Sequence, residues 1–149
     1  MSLVIGVRQK GKVVMASDSQ VTIGGVRKVS SLKENHKIWH PDDRCELLVG
    51  TVGNVREMNS TRYIENLVDE LTYLKGNVDM KYVSMNIIKR ILKELKEANI
   101  IEFKDNILAM NNDYLFAYKE KLYQIFSSGA CTAMKKRDTF PLPKRFNVV

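Results

Sequence analysis

Cysteine, histidine, proline and tryptophan are scarce in this chain, with two, two, three and one among its 149 residues. The two cysteines, Cys45 and Cys131, lie far apart in the sequence and form no CxxC pair, so neither a disulfide framework nor a zinc ribbon is available; they read as packed or idle thiols. The two histidines, His36 and His40, are four residues apart with no third ligand type nearby, and no metal is expected on them. His40 reads instead as a polar residue at a strand end. A Ser-His-Asp triad finds no serine in a nucleophile-elbow context. The eight glycines spell neither GxGxxG nor a phosphate-binding loop, so no cofactor is expected. No run of eighteen apolar residues occurs, which excludes a membrane-spanning helix on the sequence. Leu3 to Val7 is too short for a secretory core and has no basic stretch before it, and the expectation is a cytoplasmic protein.

What is present is the composition of a globular protein, 44% apolar and 28% charged, at a length that makes one domain with a real core. The formal charge is +7 and unevenly spread. In the segment KKRDTFPLPKR, Lys135, Lys136, Arg137, Lys144 and Arg145 stand against Asp138 alone, which puts +4 of the +7 in eleven residues. A short basic run of this kind is read as a solvated tail before a nucleic-acid patch.

The opening residues Ser2 to Gln9 alternate with apolar residues on both faces, as in a strand covered on two sides. Lys10-Gly11 makes a turn, and Lys12 to Asp18 returns as the second strand of a hairpin. Gln20 to Ile23 stays extended and stops at Gly24-Gly25, while Val26 to Asn35 reads as polar and irregular. A short strand at Lys37 to His40, a Pro41-Asp42-Asp43 turn and an apolar strand Cys45 to Val52 come next. From Asn54 the period changes, and Met58, Ile64, Leu67, Val68, Leu71 and Leu74 predict a helix ending near Gly76-Asn77. Val83 to Leu95 predicts a second amphipathic helix with Asp79 as its N-cap. Strands return at 106–110, 114–118 and 122–126, and nothing beyond Ser127 predicts an element. Strands, two helices, then strands give an α+β class, with a domain over residues 1–126 and a divergent basic tail over 127–149.

These pieces resemble a known family. SLVIGVR, a hairpin, ASDSQVT, a lysine heading KIWHPDD, and LLVGTVGN before two helices look like a proteasome β-type subunit, and equally like the proteolytic subunit of the bacterial two-component ATP-dependent protease. The resemblance runs from about Ser2 to Phe126. It implies a four-layer αββα sandwich, here shortened at the C-terminal end, and an N-terminal-nucleophile hydrolase that cleaves peptides or unfolded proteins. It also implies a homo-oligomeric ring and an ATPase partner. Carried over residue by residue, the nucleophile falls on Ser2, the supporting aspartate on Asp18, the catalytic lysine on Lys37 and the oxyanion glycine on Gly50. The serine of a later turn falls on Ser128. Lys28 in VRKV offers a second frame for the lysine, and that alternative stays open on the sequence.

The chemistry of those residue types fits the roles. A hydroxyl is a poor nucleophile until a base takes its proton. An α-amino group titrates near 7.7–8.0, far below a lysine side chain near 10.4, so a leading serine carries its own base. Met1 must first be removed, because otherwise the Ser2 nitrogen is an amide. The sequence departs from the family in having serine for threonine, in the loose match at Ser127-Ser128-Gly129, and in ending at TAMKKRDTFPLPKRFNVV. Two alternatives follow: an inactive, shortened scaffold subunit, and a small basic module that contacts nucleic acid through its tail.

Overall fold

A computed structural model describes residues 2–29, 36–134 and 146–148. In chain order the strands and helices are β1 Val4–Gln9, β2 Lys12–Ser17, β3 Gln20–Ile23, β4 Val26–Val29, β5 Ile38–Trp39, β6 Leu47–Val52, α1 Val55–Arg62, α2 Glu70–Lys75, α3 Met80–Tyr82 and α4 Ile88–Glu97. A π-helical turn, Val83–Ile87, joins α3 to α4. The remaining strands are β7 Phe103–Lys104, β8 Ile107–Leu108, β9 Asp113–Tyr118, β10 Lys121–Ile125, β11 Cys131–Ala133 and β12 Phe146–Val148.

β1 and β2 form the expected hairpin, with Val4 opposite Ser17 and Gln9 opposite Lys12. Its two-residue turn needs positive φ at both positions, and Lys10 (49°) and Gly11 (73°) supply it. β12 lies parallel to β1 with Phe146 opposite Val4, giving a three-stranded sheet in the order β12-β1-β2. A second sheet runs β11-β10-β9-β6-β5. Its centre, β6 and β9, is buried along nearly its whole length, which is why both read as near-continuous apolar runs.

The two sheets pack face to face. Val4 is fully buried with Val52, Leu115, Ala117 and Leu122, and Val13, Met15 and Ile38 close the margin. On its other face the five-stranded sheet carries the helices, where Val49, Tyr114, Phe116 and Tyr123 meet Met58, Ile87, Ile91 and Leu95. The described residues thus make three layers: helices, large sheet, small sheet. A second helical layer outside the small sheet, expected from the resemblance, is not among them, and Val14 on that outer face is 64% exposed.

Glycine at position 50 is what lets the sheets approach. A Cβ built there would sit 2.7 Å from Val4 Cγ1, a fully buried side chain with nowhere to retreat. Gly50→Ala should therefore cost about 1–3 kcal/mol through overpacking, read as a lowered midpoint in urea with an unchanged slope.

Several expectations are corrected. Residues 26–29 are not irregular but pair with β3, from Gln20 opposite Val29 to Ile23 opposite Val26, across Gly24 and Gly25 at φ 56° and 79°. Every residue of β4 is exposed, so no apolar alternation announced it; residues 30–35 lie outside the described residues. The single helix expected from Asn54 to Gly76 is two helices. The chain leaves helical geometry after Arg62, Asn66 takes φ 53°, and Asp69 restarts it as the N-cap of α2. Ile64, Leu67 and Val68 are buried as expected, but from a loop laid on the core. The Gly76 stop and the Asp79 cap are found as expected, with Gly76 left-handed and Tyr82 N–H donating to Asp79 Oδ1 at 2.8 Å. Beyond Ser127, β11 extends the large sheet and β12 the small one, so organised structure continues past Phe126.

Candidate functional site

The end of β2 and the start of β1 are tied by a reciprocal pair of hydrogen bonds. Asp18 N–H donates to Leu3 C=O at 3.2 Å, and Leu3 N–H donates to Asp18 Oδ1 at 2.7 Å. Chain ends fray unless something holds them. Here an aspartate carboxylate holds the residue next to Ser2. Gln20 N–H donates to the other oxygen, Oδ2, at 3.2 Å.

Lys37 completes the cluster. It sits just before β5, and its C=O accepts Thr51 N–H at 3.0 Å, which anchors its backbone to β6. Its ammonium reaches Asp18 Oδ1 at 2.7 Å, with the lysine side chain 6% exposed and the aspartate 29%. Burial works against ionisation of Asp18. The Lys37 hydrogen bond, the Leu3 N–H, the lysine charge and the Gln20 N–H together outweigh it, and the carboxyl is held below its ordinary 3.8. Asp18 is therefore an anion at neutral pH, and the buried ammonium has its counter-ion.

A small cleft of about 100 Å³ opens beside this pair. Ser2 and Lys37 line it, with Val21 and Thr22 of β3 on one side and Thr51 to Val55 on the other; Met58 and Asn112 also line it. Of the residues expected at the site, the structure brings together Ser2, Asp18 and Lys37. Lys28, the alternative lysine, is on the exposed strand β4 opposite Val21.

Gly50 and Ser128 are placed elsewhere. Thr51 N–H faces β5, so by strand alternation Gly50 turns its N–H to β9, where Leu115 is its register partner. Its Cα faces Val4 and Met15 in the inter-sheet core. Gly53, three residues on at φ 133°, lines the cleft instead. Ser128 occupies the turn between β10 and β11, where its Oγ accepts Ala130 N–H at 3.4 Å, and it does not line the cleft. His40 Nδ1 lies 2.7 Å from Leu47 C=O, the strand-end role expected of it, and among the described residues no group of three metal-ligating side chains is found.

Sequence reasoning missed the far wall of the cleft. Asn54 N-caps α1, its side chain accepting the N–H of Arg56 at 2.9 Å and Glu57 at 3.2 Å. Asn112 backs it, donating from Nδ2 to Asn54 C=O at 3.0 Å. Thr51 Oγ1 donates to Asp113 C=O at 2.9 Å. The spacing Asn54-x-x-Glu57 was a visible capping signal, but Asn112 read only as a turn residue.

Models of known protein families give no match to this chain, and curated proteins give none either. Solved structures do. BPH from Thiobacillus denitrificans, in complex with epoxomicin, is 15% identical at a TM-score of 0.60, over 91% of this chain and 69% of that one. HslV from Trypanosoma brucei is 16% identical at 0.58, over 91% and 67%. Anbu from Hyphomicrobium sp. strain MC1 is 17% identical at 0.51, over 91% and 57%. The resemblance to proteasome β-type and HslV-type subunits thus stands as a shared fold.

Proposed function

We propose that this chain is a proteasome-like peptidase whose nucleophile is Ser2, exposed as the first residue by removal of Met1. The observation that carries the reading is the 2.7 Å Lys37–Asp18 pair beside a cleft that Lys37 and Ser2 both line, within this fold. The freed amine takes the proton from Ser2 Oγ, and Oγ adds to the carbonyl carbon of a peptide bond. The tetrahedral oxyanion collapses to a Ser2 ester as the leaving amine takes the proton. Water, activated by the same amine, then hydrolyses the ester. The Lys37 cation favours the charge on Oγ and biases the nearby amine towards its neutral form. Asp18 holds that cation in place. Gly53, whose backbone lines the cleft, takes the oxyanion-donor role in place of Gly50.

The substrate class is peptide or unfolded protein. The small cleft, with Val21, Val55 and Met58 in its lining, suits an aliphatic side chain better than an aromatic one. A homo-oligomeric ring, an ATPase partner, a cytoplasmic location and a fourth layer are part of the same reading and rest on the shared fold.

Intact-mass measurement after incubation with epoxomicin tests it, since that compound is bound by the BPH of the same fold. The expected result is a chain lacking Met1 that gains the mass of one inhibitor on Ser2. A trimmed chain that gains no mass and cleaves no peptide overturns the reading in favour of a scaffold subunit.

A further inference from the structure

The wall of the cleft opposite Ser2 is held from behind by a buried acid. Glu57, in the first turn of α1, is fully buried. Its Oε2 accepts Asn111 N–H at 2.8 Å, and its Oε1 accepts Asn112 N–H at 3.1 Å and Tyr114 O–H at 2.7 Å. Three neutral donors therefore satisfy the carboxylate. Burial, followed by the Glu57 charge, pushes the Tyr114 phenol well above its ordinary range, so it stays a donor at any working pH.

Fixed in this way, Asn112 points its side chain forward. Its Nδ2 donates to Asn54 C=O and its Oδ1 accepts Asn54 N–H, so one amide holds both backbone polar groups of Asn54, one in each of the two peptide units that flank it. The grip extends to Gly53, where a Cβ would lie 2.3 Å from Asn112 Oδ1. Gly53 also holds φ 133°, a conformation that side chains rarely adopt. The circuit closes on itself, because Asn54 caps the helix that carries Glu57. The α1 N-terminus already has its cap, so this buried side chain acts instead on the 111–112 turn, of which Asn112 lines the cleft. A backbone held in a sparsely populated conformation by a supporting shell is a common feature of working sites.

We propose that Glu57 and Asn112 are positioning residues for the cleft: the buried carboxylate fixes the 111–112 turn, and the Asn112 amide fixes the Gly53–Asn54 backbone where a bound peptide meets it. This rests on the function proposed above. Neither residue exchanges a proton with substrate. Both act through the placement of Gly53.

The test measures the rate of epoxomicin addition by intact mass, and amide hydrogen exchange at Gly53 and Asn54, in Asn112→Ala, Asn112→Asp, Glu57→Gln, Gly53→Ala and the Gly53→Ala/Asn112→Ala pair. Asn112→Ala should slow addition by roughly tenfold to a hundredfold, the scale of a misplaced reacting group. Asn112→Asp keeps the acceptor for Asn54 N–H and should recover part of the rate. The pH profile of addition should keep its midpoint in Asn112→Ala and Gly53→Ala, which add and remove no charge, since no group of the lock takes part in proton transfer. On the Gly53→Ala background, Asn112→Ala should raise the rate, because it removes the collision while the φ strain is common to both chains. Addition by Asn112→Ala at the parent rate, or slowing only in proportion to its unfolded fraction, overturns the proposal. Should Asn112→Ala and Glu57→Gln fail to fold, Gly53→Ala and Asn112→Asp are compared with the parent chain: Gly53→Ala should slow addition by roughly tenfold or more and Asn112→Asp by less, and the parent rate in both overturns the proposal. If the parent chain itself takes up no epoxomicin, the function above fails, and exchange decides this inference separately. Lost protection at Asn54 in Asn112→Ala, with β9 unchanged, sustains the lock. Unchanged protection sinks it.

Discussion

Ser2→Ala is expected to abolish peptide cleavage and epoxomicin addition together, with a loss on the order of 10³-fold or more in kcat/KM. Alanine is as small as serine, so Met1 removal and the free amine are retained, and only the hydroxyl is lost. The base then has no proton to take and the carbonyl no attacker. Stability should change little, because Ser2 lies before β1 and the Leu3–Asp18 hydrogen bonds that tie the terminus down use backbone atoms of Leu3. Intact mass establishes the trimming, and a fluorogenic peptide assay reads the rate. Full activity in the alanine variant, with Met1 gone, would falsify the nucleophile assignment. A variant that retains Met1 provides the complementary control, since its Ser2 nitrogen is an amide and it should be as inactive as the alanine chain.

The second large effect concerns the Lys37–Asp18 pair, and it is asymmetric. Asp18→Asn leaves the ammonium of Lys37 in a nearly closed environment without a counter-ion. Lys37→Met leaves a carboxylate that is partly exposed and can be solvated. Breaking a fully buried pair costs several kcal/mol and an exposed one almost nothing. For Asp18→Asn the expected loss is about 2 kcal/mol, with Lys37→Met clearly smaller. Both should still cut activity strongly, since the cation beside Ser2 is misplaced in one and absent in the other. Chemical denaturation separates the two variants in stability, and the peptide assay measures the shared loss of rate. Equal stability losses would show that water reaches Lys37 freely.

The same pair sets an acid limit. The folded pKa of Asp18 is lowered, so the unfolded chain binds its proton first as pH falls. Its contribution to stability is complete above the ordinary aspartate value and is lost as pH drops through the lower folded value. Asp69, drawn down to about 2 by the Thr72 side chain, the Tyr82 hydroxyl and the Thr72 N–H, works in the same direction at the cap of α2. Urea midpoints measured from pH 5 down to pH 2 should fall, and the fall should be shallower in Asp18→Asn.

Local signals were legible. The β1–β2 hairpin, the buried runs of β6, β9 and β10, the Gly76 stop and the Asp79 cap are each decided by residues within a few positions of one another. So was the motif order that placed Ser2, Asp18 and Lys37 as candidates, since each heads or closes a strand that could be read directly. The break between α1 and α2 was not legible, because Ile64, Leu67 and Val68 keep helical spacing while packing from a loop. The resemblance puts the oxyanion glycine on Gly50, and only strand register shows that the Gly50 N–H turns to β9.

By itself, then, the sequence determined the α+β class and the strand that opens beside Ser2, because apolar period is a local property, and it named Asp18 with two candidate lysines. The tertiary structure decided which lysine meets Asp18, which glycine lines the cleft, and that Glu57 stands behind its wall. It also decided that β11 and β12 close the two sheets. Those choices depend on contacts between residues far apart in the chain, such as Glu57 with Asn112 and Val4 with Phe146. Burial and register, which no linear pattern carries, bring them together.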